Sequence, residues 1–257
     1  MTSRRPILIL KTGTTSAEVR ATHGDFDRWF TDALSGQGVA FELVDATMAP
    51  LAVPDGCAGI IVTGSPASVR REEPWMAPLE AFLRSVSTQG IPLLGVCFGA
   101  QILAHAYGSQ VIRNPEGWEI GGIDLSLEKD ATGDPLFTGL TGSMKALATH
   151  EDRIENLPAG ATLLASNASS PIQAFRLPGL VWGVQFHPEI TPAILEILIQ
   201  VRRVALEEDT RSRRLSREEH VAGLLGTLVD PETAQGRIVL ENFVGLCLKR
   251  EGATAPG

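Results

Sequence analysis

A chain of 257 residues, 44% hydrophobic and 20% charged, can bury one large core or one core with an appendage, as an ordinary globular protein does. A formal net charge of −8 argues against a nucleic-acid surface; the arginine cluster Arg211, Arg213 and Arg214 is flanked by Glu207, Glu208, Asp209, Glu218 and Glu219, the pattern of a solvated helix face. Three cysteines (Cys57, Cys97, Cys247) are too few and oddly numbered for a disulfide framework, so a reducing cytoplasm is the expected compartment, and no segment is apolar for long enough to span a bilayer.

In chain order, two arginines precede an apolar run too short for a signal-peptide core, and Pro6 to Lys11 reads instead as a strand covered on both faces. A helix is predicted over 17–34, with Phe26, Trp29, Phe30 and Leu34 at helical spacing. "FELVDA" is a second strand, "GIIVTGS" a third that runs into a Gly-Ser-Pro turn, and "IPLLGV" a fourth, preceded by a helix over 74–86. This alternation predicts a parallel sheet with right-handed crossovers and helices on both faces. The middle third changes character: "IGGIDLSL", "MKALATH", "ATLLASN" and "IQAFRL" are short strands between turns and imply an antiparallel or mixed extension of the sheet. "LVWGVQFHPE" returns to the core, and "TPAILEILIQVRRVAL" reads as one helix with Thr191 as N-cap and Pro192 in its first turn. Residues 1–205 are expected to form the principal domain and 206–257 a helical extension, its apolar face packed on the protein's own core, with docking of a partner as the alternative.

The stretch from Gly95 to Gly99, Gly-Val-Cys-Phe-Gly, has the form of a nucleophile elbow with sulfur in place of a hydroxyl. At such an elbow the nucleophile takes a strained backbone conformation, and neighbours without a Cβ let strand and helix approach closely. The thiol would sit at the positive end of the helix beginning near Phe98. Cys57 and Cys247 lack this frame and read as small buried hydrophobes. A cysteine nucleophile needs a base, and the base an orienting group. Of five histidines, His23 and His220 lie in polar helical contexts and are expected at the surface, and His105 is expected to pack on the helix after the elbow. His187 ends a strand and is followed by Pro188 and Glu189; residues i and i+2 of a strand point the same way, so Glu189 can hold its imidazole. Cys97 also ends a strand, which brings both to the carboxyl edge where α/β sheets bind ligands.

With these residues in place, the sequence resembles the class I glutamine amidotransferases. The resemblance rests on "GVCFGAQ" (95–101), "GVQFHPE" (183–189), "IIVTGSPAS" (60–68) and "THED" (149–152), which occur in the family's order over roughly residues 5–205. It is strongest to free-standing members similar to the glutaminase part of GMP synthase. The resemblance implies an open, flavodoxin-like sheet, with Cys97 as nucleophile, His187 as general base and acid, and Glu189 as its orienter. It implies an oxyanion hole from the backbone N–H of Phe98 and one from the turn at Gly64 and Ser65, where many members have a second glycine. It implies substrate contacts from Gln101, Thr149 and His150. The chain departs from the GMP synthase-like pattern after His-Pro-Glu, where "ITPAIL" replaces a Val-x-His-Thr stretch.

The expected reaction is attack of the thiol on the γ-amide of glutamine, release of ammonia and hydrolysis of the thioester. No Gly-rich phosphate loop and no "SGGxDS"-type motif is present, so ammonia would pass to a synthase partner in trans. The alternative is a free-standing hydrolase of γ-glutamyl peptides or amides with the same triad. A catalytically silent regulatory protein on this fold is disfavoured by the joint presence of Cys97, His187, Glu189 and Gln101. No cofactor is implied; the histidines lack i, i+4 pairing and the cysteines lack C-x-x-C spacing, so no metal site is expected.

Overall fold

Alternate residues of the first strand enter opposite cores: Ile7 and Ile9 join one, Leu8 and Leu10 the other. The same two-residue alternation runs through the strands beside it, since successive side chains of a strand leave on opposite faces. A continuous apolar run is therefore what a central parallel strand requires. The computed structural model describes residues 5–48, 50–54, 56–209, 217–228 and 235–253. The cluster Arg211, Arg213 and Arg214 lies outside the described residues.

In chain order the elements are β1 (Ile7–Lys11), α1 (Ala17–His23), α2 (Phe26–Ala33), β2 (Phe41–Asp45), β3 (Gly59–Val62), α3 (Met76–Ser87), β4 (Leu93–Val96), α4 (Phe98–Ala106), β5 (Val111–Arg113), β6 (Glu119–Leu127), β7 (Ser143–His150), β8 (Asp152–Ile154), β9 (Thr162–Ser166), β10 (Ala174–Leu177), β11 (Val181–Val184), α5 (Pro192–Val201), α6 (Arg203–Glu207), α7 (Arg217–Gly226) and α8 (Gly236–Ala253). Among the described residues the main sheet has nine strands in the order β2-β1-β3-β4-β11-β10-β9-β6-β7. The neighbours from β2 to β11 pair in parallel and those from β11 to β7 antiparallel. This is the open, mainly parallel, flavodoxin-like α/β architecture, with an antiparallel extension from the middle third of the chain.

Helices α3 and α4 cover one face through Leu79, Leu83, Ile102 and Leu103; α2 and α8 cover the other through Phe30, Val239, Leu240 and Phe243. The apolar side of α8 is thus spent within the protein's own core.

Three local readings are corrected. The helix expected over 17–34 is two, because Gly24 takes φ 75° and Asp25 starts a new helix, its Oδ1 accepting the N–H of Phe26 at 2.9 Å. The helix that begins after Thr191, capped as predicted with Thr191 accepting from Ile194, breaks at Arg202 before resuming as α6. Strands β5 and β8 were not foreseen; they form a separate antiparallel pair. Three-residue strands such as "VIR" and "DRI" are too short to carry a periodic signal.

Candidate active site

β4 ends at Val96, and Cys97 turns the chain into α4 with φ 52° and ψ −106°. Cys97 and Glu72 are the non-glycine residues with positive φ among those described, so Cys97 carries backbone strain. The glycines around it are required by contact: a Cβ on Gly95 would lie 2.4 Å from the Gly99 oxygen, and one on Gly99 would lie 2.3 Å from the Val62 oxygen. Helix α4 therefore starts directly on the sheet, with the N–H groups of its first turn free of intrahelical partners beside the sulfur. The Cys97 N–H donates to Val184 O at 2.8 Å, and Val184 pairs with Val96, so β4 and β11 end at the same edge.

His187 does not end a strand, as the sequence implied; β11 stops three residues earlier. The chain bends past that point and is held by an isolated bridge in which the His187 N–H donates to Leu147 O on β7 at 2.8 Å. His187 Nδ1 then donates to Glu189 Oε1 at 2.7 Å, with both side chains buried. Burial pushes the imidazole pKa down, but the Glu189 carboxylate and then Cys97 outweigh it and raise it to about 10. With Nδ1 taken by Glu189, the imidazole has Nε2 left for the sulfur. A Cβ on Gly64 would lie 3.1 Å from His187 Cε1 and 3.8 Å from Cys97 Cβ, so that glycine abuts both. Cys97, His187, Glu189 and Gly64 thus converge.

The turn after β3 is tied down by its side chains. Thr12 Oγ1 donates to Gly64 O at 3.0 Å; Ser65 Oγ donates to Thr12 O at 2.6 Å and accepts the Ala67 N–H at 3.0 Å. Ser65 holds this turn without a left-handed conformation, which is why a side chain is accommodated there.

A cavity of about 90 Å³ reaches Cys97, and Phe98, Ser65, Gln101, Thr149 and His150 all line it. Gln101 Nε2 is spent on Asp152 O at 2.9 Å and Gln185 Oε1 at 3.1 Å. His150 faces Glu119 at 3.0 Å through Nε2 and the Asp152 carbonyl at 3.0 Å through Nδ1, so its ring is engaged inside the protein. Thr149 places its carbonyl 4.0 Å from the Cys97 sulfur. Asp152, from the same stretch, pairs with Arg70 at 2.8 Å and accepts from Ser68. A larger cavity of about 410 Å³ lies against the other side of His187 and Glu189 but is not lined by Cys97. The smaller one, which reaches Cys97, is the candidate site.

Sequence reasoning missed Arg202 and Trp118, which complete this lining. Arg202 donates to Thr149 Oγ1 and lies 5.2 Å from the Trp118 ring centroid. Nothing in "IQVRRVAL" marks one arginine for a site, because the break in the helix is what aims it. His105 lies on α4 and meets Glu80 of α3 at 2.6 Å, whereas His23 and His220, expected at the surface, are half-buried. Among the described residues no cluster of three or more His, Cys, Asp or Glu could hold a metal ion, and no helix is long and apolar enough to cross a membrane.

The family model for glutamine amidotransferase class-I matches residues 22–197. A GMP synthase (glutamine-hydrolyzing) of Thermosipho africanus is 37% identical over 135 residues, 52% of this chain and 24% of the relative. A glutamine amidotransferase-like protein of Schizosaccharomyces pombe is 31% identical over 167 residues, 63% of this chain and 66% of the relative. The chain therefore matches about a quarter of the length of that synthase and under two thirds of the yeast protein. Among solved structures, a glutamine amidotransferase from Methylobacillus flagellatus shares the fold at a TM-score of 0.73 and 24% identity, covering 96% of this chain and 95% of its own.

Proposed function

Since the chain belongs to the class I glutamine amidotransferases, we propose that it hydrolyses the γ-amide of glutamine through a cysteinyl thioester and supplies ammonia to a synthase partner. The observation that carries this reading is the buried relay from Glu189 through His187 to Cys97, at the edge where β4 and β11 end together.

In this reading the Cys97 sulfur attacks the amide carbon. The proton the thiol must lose is one that His187, raised to about 10, is suited to hold. The oxyanion of the tetrahedral intermediate accepts from the N–H of Phe98 and from the turn at Gly64 and Ser65; one such donor is typically worth about 3–4 kcal/mol of barrier. His187 gives its proton to the departing nitrogen, ammonia leaves, and a water activated by the same imidazole cleaves the thioester to release glutamate. Gln101, Thr149 and His150 shape the amino-acid end of the pocket, Gln101 and His150 by holding the wall. The three free cysteines fit a reducing cytoplasm. A synthase partner is favoured by the synthase membership of the Thermosipho relative, of which this chain matches only the part it aligns with.

The test is glutaminase activity of the pure chain and its Cys97→Ala variant, with γ-glutamyl dipeptides as competing substrates. The proposal expects glutamine turnover that Cys97→Ala abolishes without loss of fold. Brisk dipeptide cleavage with little glutaminase activity would replace it with the peptide-hydrolase reading, and wild-type-like turnover by Cys97→Ala would refute both.

A further inference from the structure

The cavity at Cys97 is roofed by residues from outside the sheet. Arg202 sits in the turn between α5 and α6, with φ −85° and ψ 5°, and reaches in from above. Of the five N–H donors of a guanidinium, its hydrogen bonding within the protein uses Thr149 Oγ1, while its face rests on Trp118. Among the described residues no carboxylate lies within ion-pair reach of it. The carboxylates near this cavity are matched elsewhere: Asp152 with Arg70 at 2.8 Å, Glu151 with Arg113 at 2.8 Å, and Glu119 with His150 at 3.0 Å. Of the two lining arginines that no protein carboxylate answers among the described residues, Arg71 is exposed and Arg202 is the partly buried one. Burial pushes its pKa down to about 10, against an upward pull from Cys97, so it stays a partly buried cation at neutral pH, close to the sulfur.

Thr149 gives the spacing. Its carbonyl lies 4.0 Å from the Cys97 sulfur and its hydroxyl meets Arg202, so the nucleophile and the guanidinium are separated by about the width of one residue. A glutamine bound with its side-chain amide at the sulfur has its α-carboxylate at a comparable remove, two methylenes and an α-carbon away. A planar guanidinium matches a carboxylate in a fork of parallel hydrogen bonds.

We propose that Arg202 binds the α-carboxylate of the substrate, and so restricts this site to amino-acid amides whose carboxylate is free. The proposal rests on the glutaminase reading above and adds to it a specificity residue supplied by the helices after His-Pro-Glu. The narrow cavity, about 90 Å³ where ligand pockets commonly span roughly 300–1,000 Å³, agrees with a substrate of single-amino-acid size.

The test uses the full chain and the diazoketone analogue of glutamine, 6-diazo-5-oxo-L-norleucine, beside its methyl ester, with alkylation of Cys97 followed by intact mass. The ester lacks the carboxylate charge but keeps the reactive group. Wild type should label with the acid faster than with the ester, and Arg202→Gln should shrink that preference by about 10- to 100-fold, with the ester rate little changed. Arg202→Lys should retain part of the preference. Equal slowing of acid and ester in Arg202→Gln would overturn the proposal, because it would assign Arg202 to the sulfur or to folding. An unchanged preference would overturn it as well, leaving the glutaminase reading intact. Wild type that labels with neither analogue, although iodoacetamide still reaches Cys97, would overturn both.

Discussion

Gly99 lies against the carbonyl of Val62, where an added Cβ would come within 2.3 Å of the oxygen and 2.9 Å of the carbon. Both are backbone atoms of β3 and cannot swing aside as a side chain would. Helix propensity alone predicts that Gly99→Ala stabilises α4 by up to about 1 kcal/mol. Overpacking against a rigid neighbour costs about 1–3 kcal/mol, and here it should win. Gly99→Ala is expected to lower Tm by several degrees and to depress glutaminase activity by misplacing the elbow. A rise in Tm would show that helix and strand are not seated at this distance.

The three cysteines should differ sharply in reactivity. Cys57 is buried, with its thiol donating to Gly59 O at 3.1 Å, and desolvation pushes its pKa up. Cys247 is wholly buried where α8 meets the sheet. Cys97 alone of the three lines the reaction cavity, next to an imidazole that remains charged at neutral pH. Stoichiometric iodoacetamide at pH 7 is therefore expected to modify Cys97 first, and His187→Ala to slow that reaction by roughly 10-fold or more, as loss of an activating partner does. Peptide mapping that finds Cys57 or Cys247 modified ahead of Cys97 would contradict the assignment.

How much of this was legible beforehand follows from how local each signal is. The parallel strands announce themselves because burial on both faces forces unbroken apolar runs such as "ILIL". The elbow is legible because its five-residue form is local and Gly95 is dictated by Gly99, although Gly99 itself is dictated by Val62 on another strand; the Glu189 partnership is legible because it spans two residues. The left-handed break at Gly24 had a local signal, a glycine followed by an N-capping Asp25, that a longer apolar periodicity overrode. The support of His187 by Leu147 is a contact between distant segments, and no pattern near either residue encodes it. Arg202 is hidden for the same reason: its role depends on where a helix stops and on Trp118 and Thr149, each from another part of the chain.

Replacing Glu189 with Gln keeps the shape and removes the charge. His187 titrates near 10 in the folded protein and near 6.5 when unfolded. A raised folded pKa gives stability that is whole below pH 6.5 and is lost as pH rises through about 10. Glu189 is the largest of the influences that raise it, so the variant should lose much of this dependence. The stability of wild type relative to Glu189→Gln is expected to fall steadily between about pH 6.5 and 10, measured by denaturant unfolding at each pH. Turnover should drop by about 10²-fold, the lower end of what acid–base catalysis contributes. A stability difference flat across that window would mean the carboxylate is not what holds the proton on His187.

Asp209 fixes the roof over the site. It is buried, and its Oδ2 accepts the Trp118 N–H at 2.8 Å, joining the segment after α6 to the loop that carries the ring under Arg202. The contact is close enough that a Cβ on Gly117, which has φ 83°, would fall 1.7 Å from Asp209 Oδ1. A hydrogen bond to a charged acceptor contributes about 1.5–3 kcal/mol, and Asp209→Ala removes it while leaving the Trp118 N–H without that partner. The loss should be felt in substrate capture more than in chemistry, since Cys97, His187 and Glu189 stand on the sheet edge and not on the roof. Steady-state glutaminase kinetics should show KM raised roughly 10-fold, as about 1.4 kcal/mol would give, with kcat within a few-fold of wild type. Asp209→Asn, which keeps an acceptor oxygen, should recover part of the effect. A kcat that collapses while KM stays fixed would instead place Asp209 in the support of the triad.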